Sequence, residues 1–230
     1  MLASQTVENY LKAIYMAQGA LPRQGESGSD RRDLVPMGQL ASALGVVPGT
    51  ATTMVKALAE SGLVDYEPYM GVRLTPAGEK LAALVLRRHR LIEQFLVQVL
   101  GMNWSEVHDE AERLEHAVSE RLIDRIDDML GRPAVDPHGD PIPGPEGELE
   151  RQTYADLLSS PTNTPLLVTR VTDQDAKFLR FIEERNLKPG QRLAIVDRDT
   201  ASDSVTVRSE SGEETTIGTR AASKVLVVPV

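Results

Sequence analysis

The first 75 residues combine helix-like spacing of apolar side chains with breaks at glycine and proline. Val7, Tyr10, Leu11 and Ile14 recur at three- and four-residue intervals, as on one face of a helix. Later helix-like stretches end at glycines, and a glycine- and serine-containing stretch at residues 19–33 predicts a flexible loop. The predicted elements are helices over residues 6–18, 37–44 and 50–60, then short strands over residues 63–66 and 72–74.

The remainder of the chain changes from helical spacing to β-rich segments. Thr75 as cap and Pro76 as first helical residue predict a long helix that runs to Leu100. Ser105 is predicted to cap a further helix that continues past Ile123. Five prolines in residues 131–147 predict an extended linker. The tail is predicted to form a small β-barrel, with strands near residues 165–171, 192–196, 204–207, 214–217 and 224–228 and one helix over 175–185.

This pattern predicts an α+β protein with three domains. A winged helix-turn-helix is expected over residues 1–74, and a helical domain over residues 75–145. A β-barrel domain is expected over residues 146–230, after the proline-rich linker. The apolar faces of the two long helices need a partner, which predicts a homodimer.

Two short helices followed by a hairpin form the arrangement in which the second helix enters the DNA major groove. Small polar or cationic residues of that helix are expected to contact DNA, and the hairpin to touch the backbone. Helical pairs without a nucleic-acid partner are common, and the hairpin decides in favour of double-stranded DNA. The candidate contacts are Thr50, Thr52, Thr53, Lys56 and Arg73, with further phosphate contacts from Arg87 and Arg88.

Charge is distributed unevenly along the chain. The net charge is −9, and residues 89–150 hold fifteen acidic against five basic residues. Residues 1–88 are nearly neutral, so a DNA-binding face is possible there. The chain has no cysteine, no aliphatic run of membrane-spanning length and no secretory signal pattern. These features predict a cytoplasmic location without membrane association.

All four histidines lie in this acidic block, and the three between residues 89 and 116 each lie one helical turn from a carboxylate. His89 pairs with Glu93, while His108 and His116 both pair with Glu112. A single such pair is usually a surface ion pair, but three in succession indicate a metal site. Nitrogen and oxygen donors without sulfur suit Mn²⁺, Fe²⁺ or Zn²⁺. His138, in the proline-rich linker, has no such partner and is predicted to lie at the surface.

These motifs resemble the metal-dependent repressors of the diphtheria toxin repressor family over nearly the whole chain. The matching segments are HRLIE at 89–93, VHDEAERLEH at 107–116, HGDPIPG at 138–144 and DRD at 197–199. The resemblance implies a winged-helix domain, a helical dimerisation domain with the metal sites and a C-terminal SH3-like domain. It also implies a homodimer that represses transcription of metal homeostasis genes when its metal ion, the co-repressor, is bound.

The resemblance also implies two ligand sets. The regulatory site matches Asn9, Glu112, Glu115 and His116. The ancillary site matches His89, Glu93 and His108, with Asp173 and Gln174 as the nearest candidates from the C-terminal domain.

Iron-type members have methionine and cysteine at the positions of Asn9 and Glu112. The oxygen donors here resemble the manganese-sensing branch and favour Mn²⁺, with Fe²⁺ as the alternative. That branch carries acidic residues at the positions of Asn9 and Lys12, so a different arrangement of the ions is expected.

The sequence fits two other functions less well than that of a metal-dependent repressor. A ferritin-like metal oxidase needs Glu-x-x-His on two helices, whereas here His116 follows Glu115 directly. The chain is therefore predicted not to be an enzyme and to have no small-molecule substrate. A metal-free winged-helix regulator with an organic effector leaves the His–carboxylate pairs unexplained.

Overall fold

The computed structural model describes residues 4–20, 34–149 and 152–230 of the chain. It divides into two compact units, one of residues 1–88 with 143–149 and one of residues 89–142 with 150–230. No helix among the described residues is long and apolar enough to cross a membrane. Most of the predicted loop at residues 19–33 lies outside the described residues.

The first unit begins with three helices and a β-hairpin, as the sequence predicts. Pro48 starts the third helix, because proline is favoured at the first helical position. The hairpin is antiparallel, with Val64 opposite Leu74. Its elements are α1 (Gln5–Ala20), α2 (Met37–Ala43), α3 (Pro48–Glu60), β1 (Val64–Glu67) and β2 (Gly71–Leu74). Their core includes the buried side chains of Leu11, Ile14, Leu40, Val55 and Val72.

The long helix α4 (Pro76–Gln98) begins at the predicted cap. The Thr75 hydroxyl oxygen accepts a hydrogen bond from the Gly78 amide at 3.2 Å. From residue 85 to residue 93 every side chain of α4 is buried, including four consecutive basic residues, 87–90. A helix buried on all sides can hold polar groups only where they find partners, and the metal candidates lie in this stretch.

The prediction of one continuous helix from Ser105 past Ile123 is wrong. The segment forms α5 (Val107–Leu114) and α6 (Glu120–Leu130), separated by a turn. The backbone of Ser119 is extended, which ends the helical path before α6. Ser105 does not cap α5, because its amide and hydroxyl both bind the Asn103 side chain.

The proline-rich segment is an ordered loop rather than an extended linker. Val135 and Pro141 form an isolated β-bridge, and Asp136, His138 and Asp140 are buried. The prediction that His138 lies at the surface is therefore wrong. The His138 carbonyl also accepts a hydrogen bond from Val171, which ties this loop to the strand region of the second unit.

The C-terminal sheet is six-stranded and open, which corrects the predicted β-barrel. A barrel needs hydrogen bonds between its first and last strands. Here β3 is only two residues long and pairs with β8, while β7 pairs with β6. The strand order is β3-β8-β4-β5-β6-β7. The elements are β3 (Ala155–Asp156), β4 (Pro165–Val171), α7 (Ala176–Glu183), β5 (Arg192–Asp199), β6 (Ser204–Ser209), β7 (Glu214–Gly218), α8 (Thr219–Ala222) and β8 (Val225–Pro229).

Two apolar clusters stabilise the second unit. One lies between the sheet and α7 and includes Leu166, Leu179, Ile195 and Val207. The other is formed by the end of α4 with α5 and α6 around Ile123. Burial of these side chains holds the helices that carry the candidate metal ligands.

Candidate metal centre and DNA-binding face

The predicted DNA-contacting residues lie mainly on the exposed side of α3. Thr50, Thr53 and Lys56 are exposed and Thr52 is half-buried. The hydroxyls of Thr52 and Thr53 donate to the carbonyls of Pro48 and Gly49, so their methyl groups and oxygen lone pairs remain for contacts. Small polar side chains and a cation, as on this surface, can contact base edges and phosphates.

The basic residues predicted to contact phosphate have different surroundings. Arg73, in the hairpin, binds Asp65 at 3.1 Å and keeps part of its side chain exposed. Arg87 and Arg88 are buried, and they bind the Pro143 carbonyl at 2.8 Å and the Glu8 carboxylate at 2.7 Å. The prediction that this pair contacts phosphate is therefore wrong, because both guanidinium groups are inside the first unit.

Three donor atoms of the predicted ancillary set converge within the second unit. His89 Nε2 lies 3.0 Å from Glu93 Oε1, and His108 Nδ1 lies 3.1 Å from His89 Nε2 and 3.2 Å from Glu93 Oε1. Two ligands at right angles, each about 2.1 Å from one ion, are separated by about 3.0 Å. The donor triangle therefore has the dimensions of one face of an octahedral ion site.

The charge state of Glu93 suits a cation ligand. Burial raises the pKa of its carboxyl, but hydrogen bonds with His108 and His89 outweigh burial and bring the pKa well below its usual range. The carboxylate is therefore ionised at neutral pH, while its side chain is fully buried. A buried anion beside two imidazoles is the donor set that a divalent metal ion neutralises.

The other nitrogen of His89 faces the predicted regulatory set. His89 Nδ1 lies 2.6 Å from Glu115 Oε2 and 3.7 Å from Glu112 Oε2. His116 Nε2 lies 3.3 Å from Glu115 Oε1. The donor atoms of His89, Glu112 and Glu115 thus lie within 4.8 Å of one another, and His116 reaches this cluster through Glu115. Glu115 also orients the His89 ring, as a carboxylate commonly does for a metal-binding histidine.

Asn9 lies on α1 in the first unit, with its Oδ1 atom buried. Among the described residues this oxygen has no hydrogen-bond partner. A buried amide oxygen normally accepts a hydrogen bond, so an unpaired one indicates a missing ligand or donor. The neighbouring Glu8 forms the buried ion pair with Arg88, which joins α1 to α4 within this unit.

Asp173 and Gln174 contact groups outside both predicted clusters. The Asp173 carboxylate binds Lys224, and the Gln174 amide donates to Asp140 Oδ2 at 2.8 Å. The structure therefore does not bring these two residues together with His89, Glu93 and His108 in any donor cluster of the described residues.

Two buried polar side chains that the sequence analysis did not identify as candidate ligands lie beside Glu93. Asp136 and His138, from the proline-rich loop, form a third cluster with Glu93 whose donor atoms all lie within 4.8 Å of one another. Burial and the carboxylates of Asp140 and Glu93 raise the pKa of Asp136 well above its usual range. The sequence signals were an Asp–x–His pair and the HGDPIPG match at residues 138–144, inside a stretch interpreted as a linker.

Models of three protein domains match most of the chain. The N-terminal DNA-binding domain of iron-dependent repressors matches residues 27–72, and the metal-binding and dimerisation domain of those repressors matches residues 75–144. The FeoA domain matches residues 157–229. The chain thus contains a DNA-binding, a helical and an SH3-like domain in the predicted order.

One similar repressor covers this chain almost from end to end, and another covers a little over half of it. The iron-dependent repressor IdeR of Mycobacterium tuberculosis is 28% identical, covering 98% of this chain and 97% of its own length. The diphtheria toxin repressor of Corynebacterium efficiens is 34% identical over 60% of this chain and 56% of its own.

A solved manganese-dependent transcriptional repressor in complex with manganese is also similar. It is 38% identical with a TM-score of 0.85, covering 97% of this chain and 100% of that one. Together with the donor clusters and the winged helix, these matches show that the chain belongs to the diphtheria toxin repressor family of metal-dependent transcriptional repressors.

Proposed function

We propose that this chain is a transcriptional repressor whose co-repressor is Mn²⁺. The observation that carries the proposal is the triangle of His89, Glu93 and His108, with donor atoms 3.0–3.2 Å apart and no sulfur ligand. Oxygen and imidazole donors suit Mn²⁺ better than the softer ions that thiolates select. The similarity to a manganese-dependent repressor supports the same metal.

We assign the ancillary site to this triangle and the regulatory site to Asn9, Glu112, Glu115 and His116. The contacts of Glu115 with His89 and His116 support the second set. When bound, the ion would supply a positive charge, and these donor atoms would surround it. The residues of the chain supply the geometry: Glu93 remains ionised, and Glu115 holds the His89 ring in one orientation.

The domain boundaries expected from the sequence fit this assignment. We divide the chain into a DNA-binding domain of residues 1–74, a metal-binding and dimerisation domain of residues 75–145 and an SH3-like domain of residues 146–230. The three domain matches, which fall within these limits, support the division. Because a repressor of this kind acts on DNA, we infer that the protein is located in the cytoplasm.

We also propose that the protein is a homodimer. Leu122 and Met129 of α6 are exposed large apolar residues, and their spacing of seven places them on one helical face. The matching family domain is a dimerisation domain, so this apolar face favours contact with a second copy of the chain. Sedimentation at micromolar concentration should show a dimer with or without Mn²⁺, and a monomer for the Leu122→Glu, Met129→Glu variant. A monomeric wild-type chain would contradict this assignment.

The competing functions receive less support. Members of the family are transcriptional repressors and not enzymes, as the sequence predicts. A metal-free regulator with an organic effector does not explain a triangle of imidazole and carboxylate donors around ionised Glu93.

Operator binding tests the proposal directly. An operator is first selected from random duplexes with the full-length protein in Mn²⁺. Fluorescence anisotropy then measures its affinity in Mn²⁺, in Fe²⁺ without oxygen, and in chelator. We expect at least tenfold tighter binding in Mn²⁺ than in chelator. Equal affinity in the two conditions would overturn the co-repressor role, and a response to Fe²⁺ alone would overturn the choice of metal.

A further inference from the structure

The tip of the β-hairpin in the first unit carries a fully exposed aromatic side chain. Tyr69 is 103% exposed, and the neighbouring Met70 is 49% exposed. Both lie in the turn between β1 and β2, across which the Met70 amide donates to the Glu67 carbonyl at 3.1 Å. Single exposed apolar side chains are common on protein surfaces, so exposure alone does not assign a role to this one.

The backbone at Tyr69 makes its exposure informative. Its φ is +66°, in the left-handed region that a bulky side chain rarely adopts. Pro68 before it and the hydrogen bond across the turn match a type II turn, in which the residue after the proline is normally glycine or asparagine. The tyrosine thus costs free energy in the folded chain and buries none of its side chain there. Strain kept at an exposed site indicates a contact with another molecule.

The hairpin holds this strained turn in one geometry. β1 and β2 pair as far as Glu67 opposite Gly71. The amide and the carbonyl of Val72 bind the backbone of Val35 at 3.0 and 2.8 Å. A Cβ at Gly71 would lie 2.5 Å from the Val35 carbonyl oxygen, so the two segments are closely packed. Tyr69 therefore extends from a well-anchored hairpin that does not relieve its strain.

The hairpin belongs to the same packed unit as the DNA-contacting helix α3. Val64 of β1 and Val55 of α3 are buried in one apolar core. The N-terminal DNA-binding domain of iron-dependent repressors matches residues 27–72, which include α3 and the hairpin tip. The tip is thus part of the domain that binds operator DNA, and duplex DNA is the partner that lies within its reach when α3 enters the major groove.

The chemistry of the tip limits the group that it can contact. Residues 66–71 contain one carboxylate, that of Glu67, and no lysine or arginine. The tip therefore gains no charge attraction to DNA. A tyrosine can still bind the DNA backbone, because its phenolic hydroxyl donates to a phosphate oxygen. Such a contact positions the protein on the duplex and reads no base.

We propose that Tyr69 is a DNA-contacting residue whose hydroxyl donates to a backbone phosphate beside the groove that α3 enters. The contact gives the domain a second point of attachment besides α3. The fixed backbone sets the direction of the side chain before DNA arrives, so less freedom is lost on binding. The proposal rests on the proposed function only in that the chain binds an operator, and it does not depend on the identity of the co-repressor.

The first test is operator binding by full-length Tyr69→Gly and Tyr69→Phe in Mn²⁺. Both should bind about tenfold more weakly than the wild type, the usual size of one hydrogen bond to a charged group. The slope of log affinity against log salt should stay the same, because a neutral hydroxyl neutralises no phosphate. Asn186→Gly, a matched change at an exposed, positive-φ residue of the second unit, should bind like the wild type.

Three outcomes of this test would overturn the proposal. Unchanged affinity in Tyr69→Gly would place the tip outside the interface. Full affinity in Tyr69→Phe would exclude the hydroxyl as the contacting group. A salt slope reduced by about one in either variant would show that charge, and not a neutral hydrogen bond, had been lost.

The second test separates a DNA contact from a structural role. Glycine adopts a positive φ without strain, so Tyr69→Gly should raise the urea midpoint of the protein while it weakens operator binding. A structural role predicts that stability and affinity fall together. A lower midpoint accompanied by weaker binding would therefore reject the proposal.

The third test identifies the phosphate. Operator duplexes are ethylated at single phosphates, and the positions at which ethylation weakens binding are mapped. At least one position should interfere with the wild type and not with Tyr69→Gly, and identical maps would contradict the contact. Operator binding that ignores Mn²⁺ would reject the co-repressor role alone, because each comparison with Tyr69→Gly is equally valid in chelator.

Discussion

Glu115 is the residue through which the two proposed metal sites are most directly connected. Its side chain is fully buried, and its Oε2 atom lies 2.6 Å from His89 Nδ1 while Oε1 lies 3.3 Å from His116. Glu115→Ala therefore removes a proposed regulatory ligand and also the carboxylate that orients an ancillary ligand. We expect this single change to weaken both sites, although only one of them contains Glu115.

The size of the indirect effect follows from the contact between Glu115 and His89. A metal-bound histidine donates a hydrogen bond from its other ring nitrogen, and removing the acceptor of that bond typically lowers metal affinity 10- to 100-fold. That range is about 1.4–2.7 kcal/mol of binding free energy. Glu112→Ala is the matched control, because Glu112 is 3.7 Å from the same nitrogen and its side chain is 41% exposed. An exposed pair of this kind contributes at most about 1 kcal/mol.

The assay is a Mn²⁺ titration of each protein in which the free ion is followed by electron paramagnetic resonance. Both variants should lose the regulatory binding phase. The ancillary phase should be 10- to 100-fold weaker in Glu115→Ala and within about fivefold of the wild type in Glu112→Ala. Urea unfolding of the metal-free proteins verifies that both remain folded. Identical ancillary affinities in the two variants would show that Glu115 does not orient His89.

Three further results are expected from other residues. A Cβ at Gly139 would lie 1.9 Å from the Thr169 carbonyl, whereas one at Gly190 would meet nothing within 4 Å at a similar positive φ. Urea unfolding should therefore show a loss of more than about 2 kcal/mol for Gly139→Ala and about 1 kcal/mol for Gly190→Ala; equal losses would exclude the clash. Glu112→Cys should shift activation of operator binding from Mn²⁺ towards Fe²⁺, Co²⁺ or Ni²⁺, because a thiolate is a softer ligand; an unchanged order of metals would remove the ligand-hardness argument. Lys56→Ala should weaken operator binding and reduce the slope of log affinity against log salt by about one, since one phosphate contact is lost; an unchanged slope would place Lys56 outside the interface.

The helices, the hairpin and most strands were predictable because each has a local signal. The cap at Thr75, the proline at Pro48 and alternation in β4 depend only on neighbouring residues. No glycine or proline lies at the break between α5 and α6, so the spacing of apolar residues predicts one continuous helix. The open sheet was also beyond prediction, because closure depends on whether strands far apart in the chain pair with each other.

The candidate site was predictable where its ligands share a helix. His89 and Glu93 lie one turn apart on α4, and His108 and Glu112 one turn apart on α5. The contact of His89 with Glu115 joins different helical segments and has no sequence signature. Asp136 and His138 were missed for a related reason: proline-rich composition usually indicates exposed chain. Here hydrogen bonds from Val171 and to Trp104 hold the loop inside.

The position of His89 implies that the two proposed metal sites are not independent. Its Nδ1 atom faces Glu115 and its Nε2 atom faces Glu93 and His108, so one rigid ring carries contacts to both donor sets. Ordering the ring at one side leaves less freedom to lose at the other, and such coupling is reciprocal. Because Glu93, Glu112 and Glu115 offset repulsion between the ions, we expect the ordering effect to dominate. Mn²⁺ binding by the wild type should then be positively cooperative. A non-cooperative wild-type isotherm with two resolved phases would show that the ring transmits nothing between the sites.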